Sequence, residues 1–153
     1  MEIRERMMNS MILLKNGCVH NGRGQVSTTD LLIDGGKIVK IGEHLEASGA
    51  DVIDAAGMHV FPGFIDLLSD WGILGPGREI RGNANDNDER SDVFTPQLDV
   101  KYAFNGRGIT RQQIYAFGIT AVGVAPSNNN VFGGQMAAFE VHGVNPMKML
   151  IRE

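Results

Sequence analysis

Few of the side chains able to bind a metal or to act as acid, base or nucleophile stand close together along this chain. The four histidines, His20, His44, His59 and His142, lie 24, 15 and 83 positions apart. No His-x-His pair occurs, so each histidine is expected at a core or surface position and none is assigned to a metal. Cys18 is the one cysteine. It permits neither an internal disulfide nor a CxxC knuckle, and reads as a small buried hydrophobe on a strand. Asp66 and Asp70 are four apart in an extended segment, which puts them about 13 Å from each other, beyond shared acid–base work. Ser69 and Ser127 have no GxSxG context and no histidine nearby in sequence, so neither reads as a nucleophile. Residues 72–82 lack a GxxxxGK[ST] loop, and the lone GxG triplets at Gly22 and Gly106 read as turns. The acidic, amide-rich run 83–92 lacks the central glycine and closing glutamate of a calcium loop and reads as a solvated loop. No catalytic residue is assigned.

One segment retains a binding role. Asn128, Asn130, Gly133, Gly134 and Gln135 follow an apolar run at 119–124, and side-chain amides with glycine-exposed N–H groups can orient a polar small molecule. The alternative is a turn-rich connection whose amides bond only to backbone and water.

These residues need elements to hold them. Residues 1–10 have no clear period and read as an N-terminal extension. A β-rich segment follows over 11–61, as short apolar runs cut by turn signals. Asn16-Gly17 lies between two such runs and predicts a tight hairpin, because both central residues of a type I′ turn need positive φ. Gly35-Gly36 predicts a second hairpin between strands at 30–34 and 37–41. Two more short strands, at 51–54 and 58–61, complete what reads as a small antiparallel assembly. From Pro62 helix-like and strand-like pieces alternate. Residues 63–66 read as a buried strand, Thr95-Pro96 as a helix entry, and Thr110 to Gln113 as a capping box for a helix over 111–117 ending at a left-handed Gly118. The run 119–124 then reads as a fully buried strand, with further strands at 137–141 and 147–151. The fold class predicted is α/β with a β-rich N-terminus.

The segment from Asp34-Gly35-Gly36-Lys37-Ile38, through the strand 51–54 and Ala56-Gly57, to Val60-Phe61-Pro62-Gly63-Phe64-Ile65-Asp66 resembles the start of the amidohydrolase superfamily. The imidazolonepropionase and dihydroorotase-like branch is the nearest, and the resemblance runs from about Met11 to Ile151. Thr95-Pro96-Gln97 and the block 128–135 look like segments of one bacterial subgroup. The resemblance implies a small β-sandwich built from both chain ends, and the first strands of a TIM-like (β/α)₈ barrel with a metal-dependent site at its mouth. The family activity is hydrolysis of C–N bonds in cyclic amides or amidines by metal-activated water, with zinc as the usual divalent metal. In metal-binding members the Pro-Gly-Phe-Ile-Asp run leads into His-x-His. Here Leu68 and Asp70 occupy those two places. Leucine has no lone pair, and one carboxylate without its neighbour is a weak site. The family's other ligands come from later barrel strands, so no cofactor is expected in this chain by itself.

Whole-chain properties bound the rest. The 42% hydrophobic and 21% charged composition is that of a globular domain. The 20 glycines in 153 residues are about twice the usual share and imply many tight turns. A net charge of −4 without a long basic cluster argues against a nucleic-acid partner. No apolar run approaches the roughly 20 residues of a membrane span, and a cytoplasmic location is the default for a chain with one cysteine. A closed α/β barrel takes about 250 residues, so the part after Phe61 supplies only its opening strands. Its strand edges then call for a missing C-terminal segment, a homo-oligomer or another chain. Two functions follow: the N-terminal part of an amidohydrolase-like protein, inactive as an isolated chain, or a degenerate non-catalytic scaffold or binding subunit that pairs with another chain.

Overall fold

The computed structural model describes residues 11–73, 89, 92–107, 111–126 and 130–152, without the side chains of 111–113. The extension over 1–10, most of the acidic run 83–92, the capping-box Thr110 and the candidate Asn128 lie outside the described residues. The chain divides into two compact units, Met1–Pro62 and Gly63–Glu153.

The first unit is a mixed sheet of β1 (Ile12–His20), β2 (Val26–Asp34), β3 (Lys37–Gly42), β4 (Asp51–Asp54) and β5 (His59–Val60). Its order is β3-β2-β1-β4, with β5 also on β1. Gly35 and Gly36, at φ 55° and 75°, turn β2 into antiparallel β3 as predicted. Asn16-Gly17 does not turn the chain. Asn16 takes the left-handed conformation alone, at φ 60°, and β1 continues through it. Leu14 pairs with Leu31 and Gly17 with Thr29, so Lys15 and Asn16 together oppose Asp30. That two-against-one count is a β-bulge.

A second correction concerns strand direction. β4 and β5 run parallel to β1, not antiparallel to their neighbours. Between β3 and β4 the chain crosses over through Leu45, which is buried with Leu13, Leu31 and Ala55. A crossover of that length can bring the chain back in either direction, whereas a two-residue turn dictates antiparallel pairing.

The second unit contains β6 (Phe64–Ser69), α1 (Val100–Ala103), α2 (Arg111–Ala116), β7 (Ile119–Val124), β8 (Ala137–Glu140), α3 (Pro146–Met149) and β9 (Leu150–Arg152). Its sheet order is β6-β7-β8-β9. β6 and β7 are parallel, β8 is antiparallel to β7, and β9 is antiparallel to β8. Gly118 ends α2 at φ 74°, its N–H donating to the Tyr115 carbonyl, as the sequence predicts.

Three expectations change here. Thr95-Pro96 opens a turn, and the helix begins later, at Val100, behind Asp99. The Asp99 carboxylate accepts from the Lys101 N–H at 3.0 Å and pairs with Lys101 Nζ at 2.8 Å. Residues 147–149 belong to α3, because Asn145 caps Met147 and Pro146 sits at the first helical position. Strand burial also differs, since β7 is buried only over Val122, Gly123 and Val124, while β6 is largely exposed. Among the described residues, β6 pairs with β7 at the end of the sheet.

The core of this unit gathers Trp71, Val100, Phe104, Val122, Val124, Phe139, Val141 and Met149 with smaller neighbours. Phe104 and Phe139 stack with ring centroids 3.7 Å apart, and Trp71 meets Phe104 edge-on at 5.4 Å. Aromatic burial of this kind contributes beyond its area and fixes the base from which β6 and β7 project.

Candidate functional site

In α/β proteins, ligand sites lie beyond the carboxyl ends of parallel strands, which here means the ends of β6 and β7. At the end of β6, Ser69 holds the two strands in step, because its carbonyl accepts from Ala125 N–H at 3.1 Å. Its hydroxyl oxygen accepts from Trp71 N–H at 3.0 Å, turning the chain into the core. Asp66 pairs with Val122 and Ser69 with Val124, so Leu67 and Leu68 together face Gly123. This second bulge breaks the alternation of β6, and both leucines are exposed. Asp66 accepts from the Leu68 N–H at 3.3 Å, while Asp70 lies one residue past the strand. The metal that the family resemblance implies does not fit this position. Leu68 offers no donor atom, so the carboxylate of Asp70 is the one potential ligand at the two positions.

After β7 the chain reaches the predicted binding segment. Of its residues, Asn128 lies outside the described ones. Asn130 Nδ2 donates to Thr95 Oγ1 at 3.1 Å, and Gln135 Nε2 donates to the Pro96 carbonyl at 3.2 Å. Between them, the Val131 and Phe132 N–H groups donate to the Val93 carbonyl, and Thr95 N–H donates to the Phe132 carbonyl at 2.8 Å. Gln135 N–H donates to Leu98 at 2.7 Å. Residues 130–135 are thus fastened along 93–98. Gly134 lies so close that an added Cβ would stand 2.6 Å from the Leu98 carbonyl oxygen, so only glycine permits this approach. Gly133 is half-buried beside it. The sequence gives no hint that 93–98 is the partner of this segment, because the two stretches are more than thirty residues apart. Their contact leaves Phe94 and Phe132, 5.0 Å apart, as an exposed aromatic pair.

The first unit contains a cluster that sequence spacing missed. Cys18 and His20 are alternate residues of β1 and therefore face the same side. Cys18 is also the register partner of His59 on β5. One donor atom from each of the three lies within 4.8 Å of the others. His20 Nε2 and His59 Nδ1 are 2.9 Å apart, and Phe61 stacks on the His20 ring at 4.0 Å. Cys18 is half-buried, not buried as predicted. The usable signal was the Cys-x-His pair, but its partner came from β5 only through the parallel register. His44 and His142 are not part of the group.

Electrostatics mark two positions around the bulge of β1. Asp30 is 3% exposed. Its carboxylate accepts from Asn16 N–H at 2.8 Å and from Leu45 N–H at 2.9 Å. The Asn16 bond holds its carboxyl below the usual range, against the opposing effect of burial, and the Leu45 bond adds to it. Asp54 is lowered likewise, first by the Asn16 side-chain amide and then by Ala56 N–H.

Comparison with known proteins gives the chain its context. No protein-family model matches it. A dihydroorotase from Streptococcus thermophilus is 47% identical over 58 residues, which is 37% of this chain and 14% of that protein. A dihydroorotase from a Thermoanaerobacter species is 45% identical over 56 residues, 37% of this chain and 13% of that one. The crystal structure of an amidohydrolase from Thermotoga maritima superposes with a TM-score of 0.81 at 28% identity, over 93% of this chain and 37% of that structure. The matched stretch therefore spans about a seventh of the curated relatives, and the chain little more than a third of the solved structure.

Proposed function

We propose, from the premise that this chain belongs to the amidohydrolase superfamily as a counterpart of its N-terminal portion, that it supplies the opening framework of an amidohydrolase-like protein. The family activity is metal-dependent hydrolysis of C–N bonds in cyclic amides or amidines, and the isolated chain does not perform it. In this reading the first unit is part of a small β-sandwich, and β6 and β7 are the opening strands of an incomplete TIM-like barrel. The segment with Asn128, Asn130, Gly133, Gly134 and Gln135 then borders the mouth where a small molecule binds. The observation that carries the reading is the 0.81 superposition over 93% of the chain combined with leucine at position 68. A hydrolytic metal needs three or four ligands, and Leu68 with Asp70 offers one carboxylate.

The test is hydrolysis of dihydroorotate and of a hydantoin by the purified chain with added zinc. The expected rate equals that of the metal alone. Zinc-dependent turnover by the chain as it stands would overturn the proposal of inactivity.

A second reading, a non-catalytic scaffold or binding subunit, draws support from one feature. Phe64, Ile65, Leu67 and Leu68 are all more than half exposed along β6, and an uncovered apolar edge strand invites pairing with another segment or chain.

A further inference from the structure

We propose that Cys18, His20 and His59 form a binding site for one zinc-class divalent cation, which ties β5 to β1. The site is in the first unit and independent of the hydrolytic reading above. Its construction follows from backbone alone: alternate positions on β1 supply Cys18 and His20, and the parallel register brings His59 opposite Cys18. The donors are already gathered within 4.8 Å. Donors of a tetrahedral zinc, bound at 2.0–2.3 Å, stand about 3.3–3.8 Å apart. The ring nitrogens of His20 and His59, now 2.9 Å apart, need only separate by about half an ångström while the sulfur closes in.

Donor chemistry selects the ion. One thiolate and two imidazoles suit a borderline cation such as zinc, and offer none of the oxygens that calcium or magnesium require. His59 is exposed, and Cys18 and His20 are half-buried, so a cation can enter from solvent and keep water as its fourth ligand. The Phe61 ring against His20 limits how far that imidazole can swing. On binding, the Cys18 S–H bond breaks, its proton goes to solvent and a sulfur–metal bond forms. Both imidazoles stay neutral, each keeping its proton on the nitrogen turned away from the metal, and no electron is transferred. Affinity accordingly falls as pH is lowered.

The experiment is a titration of the reduced, metal-stripped chain with cobalt(II), followed by displacement with zinc. One equivalent of cobalt is expected to produce a thiolate-to-cobalt charge-transfer band, and one equivalent of zinc to abolish it. His59→Ala changes an exposed side chain and is expected to keep the circular dichroism of the parent while weakening cobalt at least about tenfold, as loss of a direct ligand should exceed loss of an outer-shell one. Cys18→Ser is expected to remove the band. Absence of the band in the parent chain overturns the proposal, and so does a loss smaller than tenfold in the folded His59→Ala variant.

Discussion

Asp30 shows how one carboxylate can complete a structural irregularity. The bulge at Lys15 and Asn16 takes the Asn16 N–H out of the strand ladder, and the N–H then needs another acceptor to keep its hydrogen bond. Asp30, the residue opposite, supplies the acceptor and uses its other oxygen on Leu45. Because its folded-state pKa lies below the unfolded value of about 3.9, the unfolded chain binds more protons in acid. The associated stability is fully present above about pH 5 and is lost as the pH falls through 4 and below. Asp30→Asn replaces an acceptor oxygen with a donor facing an N–H. It should lower the urea midpoint at neutral pH and flatten the loss of stability in acid. Unfolding curves from pH 7 to pH 3 check this, and parallel profiles for the two proteins would contradict it. The Asn-Gly pair was legible as a demand for positive φ, but that demand is met equally by a bulge. Asp30, fourteen residues away, decides between them.

At the scale of elements, β6 and β7 meet through a residue that has no side chain. An added Cβ at Gly123 would stand 2.5 Å from the Leu67 carbonyl oxygen, and that oxygen belongs to backbone that cannot rotate aside. Gly123→Ala should therefore push the β6 bulge away and cost about 1–3 kcal/mol, the usual range for overpacking, measured by chemical denaturation. Retention of full stability would show that β6 yields freely. Helix boundaries divided in the same local way. Gly118 was legible because a left-handed cap is nearly a glycine property. Thr95-Pro96 misled, since its N–H and hydroxyl serve Phe132 while the capping role falls to Asp99. The candidate amides of Asn130 and Gln135 were legible as a polar turn. That they fasten onto 93–98 depends on a contact invisible to local sequence.

At the scale of the molecule, many large apolar side chains among the described residues are exposed. Leu67 is 77% exposed on the outer strand of its sheet, a position where folded proteins usually place charge or cover. The parent chain should associate as its concentration rises. Leu67→Lys should shift it toward monomer with an unchanged circular dichroism spectrum, both followed by size-exclusion chromatography with light scattering. A parent chain that remains monomeric at every concentration where it stays folded would contradict this. No helix among the described residues is long and apolar enough to cross a membrane. The amino-acid order by itself determined the Gly35-Gly36 hairpin, the Gly118 cap, the short apolar strands and the absence of a donor atom on Leu68. Each depends on backbone preferences or donor atoms belonging to a few adjacent residues. Only the tertiary structure decided that β4 and β5 run parallel to β1, that residues 130–135 lie along 93–98, and that Cys18 and His20 meet His59. Those outcomes depend on which distant segments bury each other's apolar faces, and strand register then carries side chains far apart in sequence to one place.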